Sequence, residues 1–166
     1  TAAFDPVYFD QSTLGRFNAP DGSYGVLYSA KEIAGAFAET FLRRPGRSII
    51  DADFLRRKAY VRIELQSDLT MIVVAGPGLA ILGATAQVPH SDLAYDVPQA
   101  WSKALVQHPI QADGIAYRAR HDDDQLCYAF FDRSASALQE KERKSDLDAD
   151  WFWDVATRYR IGLAPD

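Results

Sequence analysis

The chain has 166 residues, of which 48% are apolar and 12% aromatic, and its 18 basic and 23 acidic side chains give a formal charge of −5. That length suffices for one domain with a real core, the apolar content excludes disorder, and the acidic balance argues against direct binding of nucleic acid, which needs a basic surface. A single cysteine, Cys127, excludes an internal disulfide. It fits a reducing compartment and so predicts a cytoplasmic protein.

Residues 4–18 read as an extended arm, and Asp21-Gly22 is a turn signal before a strand over Tyr24–Tyr28. Ser29-Ala30-Lys31-Glu32 has the spacing of a capping box and opens a predicted helix to about Leu42, with Ile33, Ala34, Phe37 and Phe41 on one face and Pro45-Gly46 as its end. Val61, Ile63 and Leu65 alternate with Tyr60, Arg62 and Glu64, which predicts a strand with one buried face. A more continuous apolar strand over Leu69–Ala75 stops at Gly76-Pro77-Gly78, and a short helix follows around Leu79–Gly83. Val97–Gln107 reads as a helix with Trp101, Ala104 and Leu105 inward, and Ile115–Arg120 and Gln125–Asp132 as two strands joined by His121–Asp124. The strand setting of Cys127 makes it a buried small hydrophobe. Glu140–Lys144 reads as an exposed helix or loop. Asp148 or Asp150 caps a last helix, whose buried face is Trp151, Phe152, Val155, Ala156 and Tyr159 and whose stop is Gly162. Helices and strands mix without a regular βαβ rhythm, so the predicted class is α+β, one domain over residues 1–166 with a small mixed or antiparallel central sheet and flanking helices. No apolar run approaches the ~20 residues that span a membrane, and the opening residues carry no signal-peptide pattern.

The stretch Gly15-Arg16-Phe17 through Tyr24 and Leu27-Tyr28-Ser29 to Ala38-Glu39-Thr40 sets a fixed cation, an aromatic face and a carboxylate on three successive segments. By pattern alone each has a plain reading: Arg16 as a surface arginine, Tyr28 as a strand aromatic, and Glu39 as a solvated residue well off the apolar stripe of its helix. His121-Asp122-Asp123-Asp124 offers hard-metal ligands, but four consecutive residues in a turn do not converge on one ion, and His90 and His108 have no ligand spacing around them, so no metal is expected. Gly76-Pro77-Gly78 lacks the ending of a phosphate loop, and no Gly-x-Ser-x-Gly nucleophile motif is present. Arg43-Arg44, Arg47 and Arg56-Arg57-Lys58 form a local basic cluster.

With Asp113-Gly114-Ile115-Ala116-Tyr117-Arg118-Ala119-Arg120, these segments give a chain that resembles the RES domain over residues 14–133. RES domains are the toxins of RES–Xre toxin–antitoxin pairs and are named for an Arg, a Glu and a Ser. The resemblance implies a fold related to ADP-ribosyltransferases, with a cleft for NAD between the central sheet and its helices. It implies that NAD is the substrate, that its nicotinamide–ribose bond is broken, and that the ADP-ribosyl group passes to water, phosphate or a protein target. On that reading Arg16 anchors the dinucleotide, Tyr28 packs on a ring with Tyr24 in reserve, and Glu39 stabilises the positive charge that grows on the ribose. The place of the family serine is held by Ala119, which has no hydroxyl to offer a ligand. The competing expectation is a non-enzymatic module that holds an antitoxin or a nucleotide. The expected partner is an Xre-like antitoxin that carries the contact with DNA.

Overall fold

Strand pairing in the computed structural model, which describes residues 5–43, 46, 48–90 and 94–164, follows the apolar alternation of the sequence. The central sheet has four strands in the order β1 (Val26–Ala30), β6 (Asp122–Phe131), β5 (Gly114–Ala119) and β4 (Met71–Val73). β1–β6 and β6–β5 pair antiparallel and β5–β4 parallel, so the sheet is mixed and the molecule is a single small α+β domain. The arm touches this sheet at one isolated bridge, Asp10 to Val26, and otherwise runs irregularly.

Residues opposite each other on a ladder share a face of the sheet. The register Val26↔Phe131, Tyr28↔Ala129, Ile115↔Ala129 and Tyr117↔Cys127 therefore sets Val26, Tyr28, Cys127, Ala129, Phe131, Ile115 and Tyr117 on one face. That face is covered by Phe17 and Ala19 of the arm, Val88 of α4 (Gln87–His90) and Leu105 of α5 (Asp96–Gln107). The other face, with Leu27 and Phe130, packs on Leu138 and Ile63 of a separate two-stranded ribbon, β3 (Tyr60–Leu65) with β7 (Leu138–Lys144). Glu140–Lys144 is thus strand and neither helix nor loop. Its charges sit on an exposed ribbon, where Lys141 pairs with Glu64 across the strands.

A third cluster joins α1 (Ile33–Phe41), α2 (Ala52–Arg56) and α6 (Asp150–Arg158) through Phe37, Leu55, Phe152 and Ala156. Phe37 stacks on Tyr159 at 5.4 Å with 5° between the rings and meets Phe152 at 5.4 Å. Each such buried aromatic contributes roughly 1.5–3 kcal/mol from removed apolar area.

Several boundaries differ from the sequence reading. β1 begins two residues later than predicted and runs on through Ser29 and Ala30, so no capping box forms: Glu32 is the N-cap and no side chain bonds there. The pairing of Ser29 and Ala30 with Tyr128 and Cys127 outweighs the capping propensity. α1 ends at Phe41 with Leu42 as cap; of the predicted stop, Pro45 lies outside the described residues. The continuous apolar run at 69–75 forms only the short β4, α3 spans Pro77–Leu82 with Gly83 left-handed after it, and β6 starts at Asp122, which shortens the predicted 121–124 loop. α6 starts without a side-chain cap, and Asp148 instead accepts from Trp153 Nε1 at 2.7 Å. Gly162 does not stop α6: it opens the two-residue strand β8 (Gly162–Leu163), which pairs with β2 (Ile49–Ile50), while Arg160, at φ 54°, turns the chain.

Candidate active site

A cleft of about 400 Å³ opens over the ends of β1 and β5, between the Leu14–Arg16 loop and α1. Arg16, Tyr28 and Glu39 all line it, although they come from a loop, a strand and a helix. They share the lining with Tyr117, Arg120 and Arg43.

Arg16 is packed into the cleft wall. It is only 9% exposed, and its guanidinium carbon lies 5.8 Å from the centre of the Tyr117 ring, a cation–π arrangement. Its Nε is buried without a hydrogen-bond partner among the described residues. The backbone around it is fixed by buried polar groups. The Phe17 amide donates to the Tyr28 hydroxyl at 2.7 Å, and that hydroxyl donates to Asn18 Oδ1 at 2.9 Å. Asn18, fully buried, donates to the Ser12 carbonyl and to Asp10 Oδ2. Gln99 Nε2 of α5 donates to the carbonyls of Thr13 and Gly15 at 2.8 and 3.0 Å. Gly15 is required by this crowding: a Cβ there would stand 2.2 Å from Asn18 Oδ1.

The placing of Tyr28 refines its expected role. Its ring is 38% exposed and faces the cleft, but its hydroxyl is committed to the loop and is not offered to a ligand. Burial pushes the hydroxyl well above the ordinary tyrosine range, so it stays protonated. Tyr24 is not at the cleft. It is 5% exposed, its ring packs edge-on against Phe131, and its hydroxyl donates to Ser102 Oγ at 2.8 Å. Tyr24 lies two residues before β1 begins and packs in the same buried cluster as Phe17, away from the cleft lining. Ala119 is fully buried in the cluster with Phe17 and Tyr117 and does not line the cleft. A hydroxyl at that position would lie beneath the site, next to Arg120.

Glu39 faces the cleft from the side of α1 opposite Phe37, half-buried, and its Oε1 accepts from the Arg120 amide at 2.9 Å. One carboxylate oxygen is thereby tied to the β5–β6 turn. Arg43, one turn further on, donates from Nε to the Glu39 carbonyl at 2.7 Å. Glu39 is the one carboxylate among the described residues lining the cleft, against Arg16, Arg43 and Arg120. In a protein of net charge −5 the cleft has a local surplus of positive charge, which favours an anionic ligand. His90, half-buried on α4, is held below the usual histidine range, first by burial and then by the charges of Arg16 and Arg120. Cys127, beneath the site, has its thiol pushed up to about 12, mainly by burial and next by Glu39, so it is no thiolate nucleophile near neutral pH. No group of three metal-ligating side chains occurs among the described residues.

Sequence reasoning had not singled out Tyr117, Arg120, Asn18 or Gln99. Tyr117 and Arg120 lie inside the second motif, two residues before and one after Ala119, and that proximity was the available signal. Asn18 and Gln99 carried none: Asn18 works by folding the irregular loop back on Ser12 and Asp10, and Gln99 by a contact with Thr13 at a separation of 86. Of the basic cluster, Arg44 and Arg47 lie outside the described residues, and Arg56 pairs with Asp53.

Together the fold and the cleft define a mixed-sheet α+β domain whose site sets arginines around one anchored carboxylate. The chain belongs to the RES domain family, whose model matches residues 2–152. No curated protein and no solved structure matches it. Among the described residues no helix is long and apolar enough to cross a membrane.

Proposed function

We propose that the chain is a toxin that consumes NAD by breaking its nicotinamide–ribose bond. The observation that carries this reading is the anchored carboxylate Glu39 sharing a cleft with the buried Arg16. Arginine suits a pyrophosphate, because its planar fork offers several donors to neighbouring oxygens. Arg16 would anchor that part of NAD, with the exposed ring face of Tyr28 as a stacking surface. As the C–N bond breaks, nicotinamide leaves as a neutral base with the bonding electron pair and positive charge grows on the ribose. Glu39 would stabilise that charge, held by the Arg120 amide so that little reorganisation is needed. An acceptor with a lone pair, whether water, phosphate or a protein side chain, then bonds to the sugar carbon and gives up its proton where the acceptor is water or a neutral side chain. The proposal includes cytoplasmic action and control by an Xre-like antitoxin that closes the cleft.

Incubation with NAD, with product analysis by mass spectrometry, tests the reading. Free nicotinamide should accumulate, and Glu39→Gln should slow its release by about 10²–10³-fold, the scale for losing one transition-state stabiliser, with the fold intact. Absence of release at high enzyme concentration would defeat it. The second reading, a module that binds without catalysis, is favoured by Ala119 in the place of the family serine, and it predicts NAD or antitoxin binding with no nicotinamide.

A further inference from the structure

The contact between Glu39 and the Arg120 amide joins two separate elements, α1 and the β5–β6 turn. Something must hold those elements in register if the carboxylate is to stay in place. Tyr159, at the end of α6, touches both. Its ring stacks on Phe37, two residues from Glu39 on α1, and its hydroxyl lies 3.3 Å from the Ala34 carbonyl. The same hydroxyl donates to Asp122 Oδ2 at 2.6 Å. Asp122 is the β6 residue opposite Ala119, so it closes the turn that carries Arg120 and His121. Its side chain is 11% exposed, and Arg158 Nη2 stands 3.5 Å from it. Tyr159 and Arg158 both fall beyond residue 152, where the family match ends.

We infer that Tyr159 is a positioning residue that, through Asp122, fixes the β5–β6 turn against α1 and thereby sets the Glu39 carboxylate. The ring stack alone accounts for packing. The hydroxyl adds direction, because one short bond to a mostly buried carboxylate is made at one spacing of turn and helix. Burial of Asp122 makes the bond strong, and Arg158 supplies the opposite charge that such burial needs.

The catalytic part of this inference rests on the proposed NAD cleavage, and the test separates the two. Tyr159→Phe keeps the ring and the stack and removes only the hydroxyl. In that variant the Arg120 amide should exchange with solvent about three- to tenfold faster, the scale of one lost hydrogen bond, while the amide of Val74, donated to Ala116 in the sheet, is unchanged. The kcat for nicotinamide release should fall about tenfold with KM within about twofold, as for a displaced catalytic group rather than a lost binding contact. Asp122→Ala should reproduce both effects, and the double variant should add little to either single one. Unchanged exchange at Arg120 in Tyr159→Phe, or fully additive losses in the double variant, would overturn the inference. If the parent protein releases no nicotinamide, the proposed function fails and exchange at Arg120 still decides whether the clamp exists.

Discussion

One hydroxyl, on Tyr28, holds the loop that presents Arg16, taking the Phe17 amide and giving to Asn18. Tyr28→Phe removes both bonds and leaves the ring facing the cleft. The Phe17 amide would then be stranded in a half-buried place, at a cost of about 1–3 kcal/mol in denaturant unfolding. Looser placing of Arg16 should raise KM for NAD more than it lowers kcat, the reverse of the Tyr159→Phe pattern, and steady-state kinetics of the two variants check this. Ala119 gives a contrasting expectation. Because it is fully buried and off the cleft wall, Ala119→Ser can act on a ligand only through groups such as Arg120 that do line it. Its effect on nicotinamide release should stay below about tenfold, well under that of Glu39→Gln. A larger gain would mean that a serine there reaches the ligand after all.

α1 lies unusually close to the sheet. A Cβ on Gly35 would meet the Ala30 Cβ at 3.0 Å, the Gln125 Cβ at 3.2 Å and Cys127 Sγ at 3.6 Å. Gly35→Val must push the helix away from β6, and Glu39 moves with it. We expect a loss of about 1–3 kcal/mol in stability, the scale of overpacking, together with a lower kcat; equilibrium unfolding and nicotinamide release measure the two. At this scale much was legible in the sequence. Phe37 and Phe41 fixed the inward stripe of α1, and the alternation at 60–65 fixed β3. What escaped was set by partners distant in the chain. The charged run at 140–144 is a strand only because β3 is beside it, and Ser29 is strand rather than cap only because Tyr128 pairs with it.

Taken whole, the molecule divides its labour between its apolar clusters. The face with Ile115 and Tyr117 floors the cleft, while the cluster of Phe37, Phe152 and Ala156 sets the helix that walls it. Three of the cleft residues, Arg16, Tyr28 and Glu39, were readable through the family resemblance, because short motifs carry them. The polar scaffold behind them was not. Asn18, Gln99 and Tyr159 act through bonds to residues 6 to 125 positions away, beyond the reach of strand or helix periodicity. Tyr24 shows the same limit from the other side, since nothing local shows that the predicted strand starts two residues after it and leaves it packed in the buried cluster with Phe17.

Arg16 has a consequence for the tolerance of the protein to change. Its Nε is buried without a partner among the described residues, and a stranded donor of this kind lowers the stability of the empty fold. The domain therefore carries a standing penalty that, on the proposed function, an anionic guest would relieve. Arg16→Met fills a similar volume with an apolar chain and should unfold at a higher temperature than the parent, by a few degrees for about 1 kcal/mol, while losing NAD turnover. Differential scanning calorimetry of both forms, with and without ADP-ribose, would read this directly, and a parent that is already the more stable form when empty would refute it. If the relation holds, robustness alone would favour an apolar side chain at this position, and the arginine answers instead to the ligand proposed for the cleft.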